Sequence, residues 1–172
     1  MRRRTAAAGS SVFFLVAPCV LTGLLPWWLT RWEMRWESAW AAPLQLAGVV
    51  MIAAGAAVIV SSFVRFVREG AGTPAPVAPA RHLIVGGLYR HVRNPIYVAL
   101  IAVILGEALL LGQPILVPYA AAVFAAVASF VRWREEPVLT ARFGTPYMEY
   151  RRAVPGWVPR LRPWRPDAET IA

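Results

Sequence analysis

"NPIYVALIAVILGEALLLGQPILVPYAAAVFAAVASFV", Asn94 to Val131, decides how the chain is read. Two apolar runs are separated only by Gly112-Gln113-Pro114, and each approaches the roughly 20 residues that a helix needs to cross a bilayer. Asn followed by Pro marks a helix start, because Asn is a favoured N-cap and Pro suits the first helical position. The first run therefore begins at Pro95, and the second returns antiparallel to it as a tight helical hairpin.

Working outward, two more apolar spans are expected, at about Ser11–Leu29 and Pro43–Val64, beside Pro95–Leu111 and Ile115–Val131. The chain has 172 residues and is 58% hydrophobic, too apolar for a soluble domain of this length. The reading is an all-α, polytopic membrane protein: a single membrane domain over 1–172, with about four transmembrane helices and a C-terminal amphipathic cytoplasmic segment. A signal peptide is a poor alternative for the first span, since Trp27 and Trp28 follow it rather than a small-residue cleavage site.

All 18 basic residues are Arg and the net charge is +9. In this setting the excess reports topology and contact with anionic lipid, not nucleic acid. Sixteen Arg fall on one side of the four expected spans, and only Arg31 and Arg35 fall on the other. The positive-inside rule then places both termini, the Arg65–Asn94 connection and the tail in the cytoplasm. Trp27, Trp28, Trp32, Trp36 and Trp40 form an interfacial belt at the opposite face. Glu69–Ala80 reads as a Gly/Pro/Ala connector and Pro163–Ala172 as a disordered tail. Cys19 has no second cysteine to pair with. With His82 and His91 it makes no metal site.

Polar residues gather at one membrane face. "GGLYRHVRNPIYV" (Gly86–Val98) opens the third span with Arg, His, Tyr and a helix N-terminus whose free N–H groups suit an anion. "RWREEPVLTARFGTPYMEYRRAVPGWVP" (Arg132–Pro159) follows the fourth. It carries Glu135 and Glu136 within reach of Arg132 and Arg134. Leu139, Phe143, Tyr147 and Tyr150 recur at helical spacing, and a turn falls at Phe143-Gly144. The hairpin brings both stretches to one cavity at the lipid boundary. Glu107, inside the third span, is expected to snorkel to the opposite face.

"LIVGGLYRHVRNPIY" and "EEPVLTARFGTPYMEYRRAVPGWVP" together resemble the isoprenylcysteine carboxyl methyltransferase family and its phospholipid methyltransferase relatives. The resemblance covers about Arg81–Pro159, the cofactor-binding and catalytic half, and departs from the family where Asn94 replaces the usual His. It implies S-adenosylmethionine as cofactor and methyl transfer to an isoprenylcysteine-like or other lipid or isoprenoid acceptor, with carboxylate O-methylation favoured. It implies cofactor contacts at Arg81, His82, Leu83, Ile84, Tyr89, Asn94, Pro95, Ile96, Tyr97 and Glu135. Arg93 and Arg132 would orient an acidic acceptor. A sterol-reductase-like NADPH enzyme and a non-catalytic scaffold are the rival readings. The Arg- and Ala-rich composition points to a GC-rich bacterium, hence an inner membrane, where prenylated proteins are not expected and a small isoprenoid or lipid carboxylate, amine or hydroxyl is an equal candidate for the acceptor.

Overall fold

A computed structural model describes residues 16–37, 41–68, 83 and 85–165. Among these the chain is helical, with no strand. Its helices are α1 (Val16–Thr30), α2 (Ala42–Arg68), α3 (Pro95–Leu111), α4 (Leu116–Phe143) and α5 (Thr145–Ala153). Two segments, Ala42–Ser62 of α2 and Leu116–Phe143, are long and apolar enough to cross a membrane. Helices α1 and α3 are apolar but shorter. At 17 residues, α3 rises about 25 Å, near the lower limit for a span.

The α3 boundaries coincide with the expected ones, for local reasons. Pro95 starts the helix, and Gly112 ends it in the left-handed region at φ +67, which glycine adopts without a Cβ penalty. The hairpin follows at once. Ile104, Ala108, Leu116, Ala120 and Val123 form the buried seam between α3 and α4. Helix α2 packs antiparallel along the other side of α3, and its glycines allow close approach. A Cβ at Gly48 would lie 2.6 Å from the Gly106 carbonyl, and one at Gly55 2.9 Å from the Ala99 carbonyl. Such small-residue contacts replace the hydrophobic drive that helices lack in lipid. Helix α1 joins through Leu21, which packs on the seam and accepts a 2.8 Å hydrogen bond from the Tyr119 hydroxyl.

Two helices contain one π-helical turn each, Val20–Leu24 and Val131–Glu135. In each case a proline, Pro26 or Pro137, stands two residues after the end of the turn. Proline has no N–H and its ring crowds the carbonyl four residues back, so a widened turn relieves that crowding. The second turn carries α4 past Val131 as a continuous helix to Phe143, longer than the fourth span expected from sequence.

At the hairpin end, residues 31–37 strap over the loop. Trp36 donates to the Leu109 carbonyl at 2.8 Å and lies on Gly112. Gln113, almost wholly buried, donates to the Glu33 carbonyl at 2.9 Å. Trp36 is thus a clamp on the loop rather than a belt residue, while Trp28 and Trp32 are exposed as a belt requires. Trp40 lies outside the described residues. Glu107 does not snorkel: its Oε2 is buried with no hydrogen-bond partner among the described residues. It sits on α3 between residues that pack on α2 and α4, so its short side chain stays inside the bundle.

Candidate functional site at the start of α3

The site is built from the opening of α3, the π turn of α4, helix α5 and a strap, Val154–Arg165. Gly87, at φ +58, begins a short 3-10 turn, Gly87–Arg90. The Arg65 guanidinium at the end of α2 lies directly against Gly86 and Gly87. A Cβ at either position would push the cation aside, and the positive φ at Gly87 independently favours glycine.

The strap runs beside residues 90–94. The Arg93 and Asn94 amides donate to the Pro155 and Gly156 carbonyls at 2.9 and 3.2 Å. The Arg160 amide donates to the His91 carbonyl, and His91 Nδ1 to that of Arg160, at 2.9 and 2.8 Å. The Trp164 amide donates to the Arg90 carbonyl, and Arg90 Nε to that of Trp164, at 2.9 and 2.6 Å. Trp164 also packs on Tyr150 with ring centroids 5.5 Å apart. The sequence reading starts a disordered tail at Pro163. Trp164 has these partners, and residues 166–172 lie outside the described residues.

Asn94 precedes α3 as expected, yet its side chain makes no cap hydrogen bond. Its Nδ2 instead donates to the Gly156 carbonyl at 3.1 Å. A neighbouring backbone acceptor outcompetes the cap because the strap passes directly over this residue. Pro95 and Ile96 are buried, and Ile96 packs against Tyr89 and Tyr97.

Glu135 and Glu136, adjacent in sequence, have different partners. Glu136 has a side chain only 9% exposed and receives Arg93 at 2.8 Å, Arg151 at 3.0 Å and Arg132 at 3.7 Å. Arg93 also donates through Nε to the Val154 carbonyl at 3.0 Å and through Nη1 to the Tyr147 hydroxyl at 3.4 Å. Arg93 is therefore the centre of a structural network, not a free guanidinium facing an acceptor. Arg132 has a mostly exposed side chain and only the longer contact. Tyr147 and Tyr150, expected on an amphipathic face, are buried, and Tyr150 donates to the Tyr89 carbonyl at 2.7 Å. Burial pushes both phenols above their usual range, so they remain neutral.

Glu135 is half-buried and accepts a 3.4 Å hydrogen bond from the Tyr97 hydroxyl. Tyr97 leads to Trp157, whose ring lies 6.4 Å away, and Trp157 meets Phe124 of α4 edge-on at 5.0 Å. A carboxylate thus borders an aromatic wall on the α3–α4 seam. Leu83 packs with Val85 against Tyr147, Tyr150 and Val154. Arg81, His82 and Ile84 lie outside the described residues.

The structure brings together Leu83, Tyr89, Arg93, Asn94, Pro95, Ile96, Tyr97, Arg132 and Glu135 at one end of α3. It adds Trp157 and Phe124, which sequence reasoning did not single out, and gives Glu136, expected only as a partner of Arg132 and Arg134, a central place. Proline at 137 was a signal that the two acids would not follow a regular helix; nothing local marked Trp157. Among the described residues no group of His, Cys, Asp and Glu is arranged to hold a metal ion.

A family model described as phospholipid methyltransferase matches residues 44–146, more than half of the chain. Comparison with curated proteins gives no match.

Proposed function

We propose, from the premise that the chain belongs to the phospholipid methyltransferase family, the membrane methyltransferases that include the isoprenylcysteine carboxyl methyltransferases, that the mouth of α3 binds S-adenosylmethionine and methylates a lipid-like acceptor. In this reading about four helices span the membrane, both termini are cytoplasmic, and the membrane is a bacterial inner one.

The observation that supports it most is the division of labour between the two acids. Among the described residues Glu136 is neutralised by three Arg, whereas Glu135 keeps a carboxylate with one long hydrogen bond to Tyr97. Glu135 therefore retains acceptor capacity for hydroxyl or ammonium groups. That acceptor fits the cofactor, whose ribose hydroxyls and amino group are donors. Leu83, Tyr89, Asn94, Pro95, Ile96 and Tyr97 would hold the rest, with Arg81, His82 and Ile84 before them.

When bound, S-adenosylmethionine supplies a methyl group activated on a sulfonium. Transfer of that methyl to a lone pair of the acceptor, with S-adenosylhomocysteine released as a neutral sulfide, is the chemistry it would supply here. A carboxylate acceptor becomes an ester with no proton to lose, so no general base is required. The residues of the chain act by positioning and by excluding water. Tyr97, Trp157 and Phe124 form the dry side. Arg93 is held by Glu136 and the Val154 carbonyl, so orientation of an acidic acceptor falls to Arg132.

The deciding experiment is calorimetry of the purified protein in detergent with S-adenosylhomocysteine and, separately, with NADPH. Binding of the first alone supports a methyltransferase. Binding of NADPH alone would replace it with the reductase reading.

A further inference from the structure

The strap has two unlike edges. Its inner edge is tied to residues 90–94 and to Tyr150 by the hydrogen bonds and ring contact described above. Its outer edge is uncovered by the described chain: Val158 is 74% exposed, Leu161 is 97% exposed, and Arg162 and Arg165 are exposed beside them. A single exposed Leu would need no explanation. Here the apolar residues continue from Trp157, which sits against Phe124, itself exposed on the outside of α4. The same pairing recurs in the π turn of α4, where Trp133 is 78% exposed between the exposed Arg132 and Arg134.

We propose that the outer edge of the strap is a docking surface for an anionic lipid leaflet. Val158 and Leu161 enter the layer between head groups and acyl chains, and Arg162 and Arg165 bind lipid phosphates. Alternating large apolar and cationic side chains on a rigid backbone match a surface that is apolar below and negative above. A water-facing edge would have no use for Leu161, and an apolar core would not accept the neighbouring Arg. The seated strap also holds Arg93 and Asn94, so anionic lipid would tighten the mouth of α3. That coupling rests on the cofactor reading; the docking surface does not.

The test uses the full chain carrying Cys19→Ser and Leu161→Cys with a nitroxide at 161, in nanodiscs of phosphatidylcholine with or without phosphatidylglycerol. The expected label is accessible to oxygen and shielded from a water-soluble nickel chelate. Shielding should rise with phosphatidylglycerol, and Arg162→Gln with Arg165→Gln should abolish that rise. A label free in water in both lipids overturns the proposal. So does a label shielded from oxygen and nickel alike, which would mean a protein partner or a second copy on this edge. Calorimetry with S-adenosylhomocysteine in the same nanodiscs should show tighter binding with phosphatidylglycerol, by up to roughly fivefold per Arg. Equal affinity in both lipids sinks the coupling. Absence of binding in every lipid, with the depth result intact, sinks the cofactor reading and leaves the docking surface standing.

Discussion

Glu135 and Glu136 show how one residue of offset separates a carboxylate that meets a single tyrosine from one enclosed by arginines. Removing Glu135 should delete a charged hydrogen bond to the cofactor, at about 1.5–3 kcal/mol. Glu135→Ala should therefore weaken S-adenosylhomocysteine binding by on the order of tenfold to a hundredfold in calorimetry, while Glu107→Ala, about 18 Å along α3 from Pro95, leaves it unchanged. Equal losses would place the site elsewhere. Glu136 behaves differently. Glu136→Ala strands Arg93 in a nearly buried position, where an unpaired charge costs roughly 3–5 kcal/mol, and should lower the thermal midpoint in detergent clearly. Glu136→Leu with Arg93→Met removes both charges and should recover part of that loss. A double variant no better than the single one would show that the network works through something other than charge pairing.

Asn94 poses a related question. Its side chain bonds to the strap instead of capping α3. Asn94→Ala should then increase proteolytic cleavage within the strap as well as weaken cofactor binding. Asn94→His keeps a ring N–H donor for the Gly156 carbonyl and should be tolerated. Cleavage unchanged in the Ala variant would mean that the amide bonds at Arg93 and Asn94 suffice to hold the strap.

At the scale of the element, the π turn before Pro137 sets the direction of the two acids. A regular α-helix advances about 100° per residue, and the extra residue in the turn rotates everything after it. Pro137→Ala restores an N–H and removes the crowding of the Trp133 carbonyl. We expect this variant to be more stable by thermal denaturation yet to bind S-adenosylhomocysteine more weakly, because Glu135 turns away from Tyr97. Unaltered affinity would show that the turn is an accident of the proline with no part in the site. The α3–α4 hairpin needs no such device. Gly112 ends one helix, and Ile104, Leu116 and Ala120 bury the seam.

For the whole molecule, the arrangement separates two ends. Trp36, Gln113 and Glu33 close the hairpin end, while Arg, acids and tyrosines gather where α3 begins. The Arg asymmetry predicts that the second end is cytoplasmic. A reporter fused after Ala172 should be active only in its cytoplasmic form; the opposite result would invert the topology and place the proposed cofactor site outside.

Local chemistry sufficed for α3 and its hairpin. Asn-Pro, a run of apolar residues and Gly112 each act within a few residues of where they stand, so sequence alone determined the boundaries and the antiparallel return. Sequence also determined that the polar stretches flank the same end, since a short loop leaves no other geometry. What tertiary structure decided was which polar group meets which. Arg93 reaches Glu136 43 residues away, Asn94 reaches Gly156 62 residues away, and Trp157 lands between Tyr97 and Phe124. Arg132, four residues before Glu136, looked the natural partner but contributes only the longest contact. Those choices depend on where the strap crosses the start of α3 and on the extra residue in the π turn. A charge or an aromatic ring has no preferred partner until packing brings one within reach and takes water away from the rest.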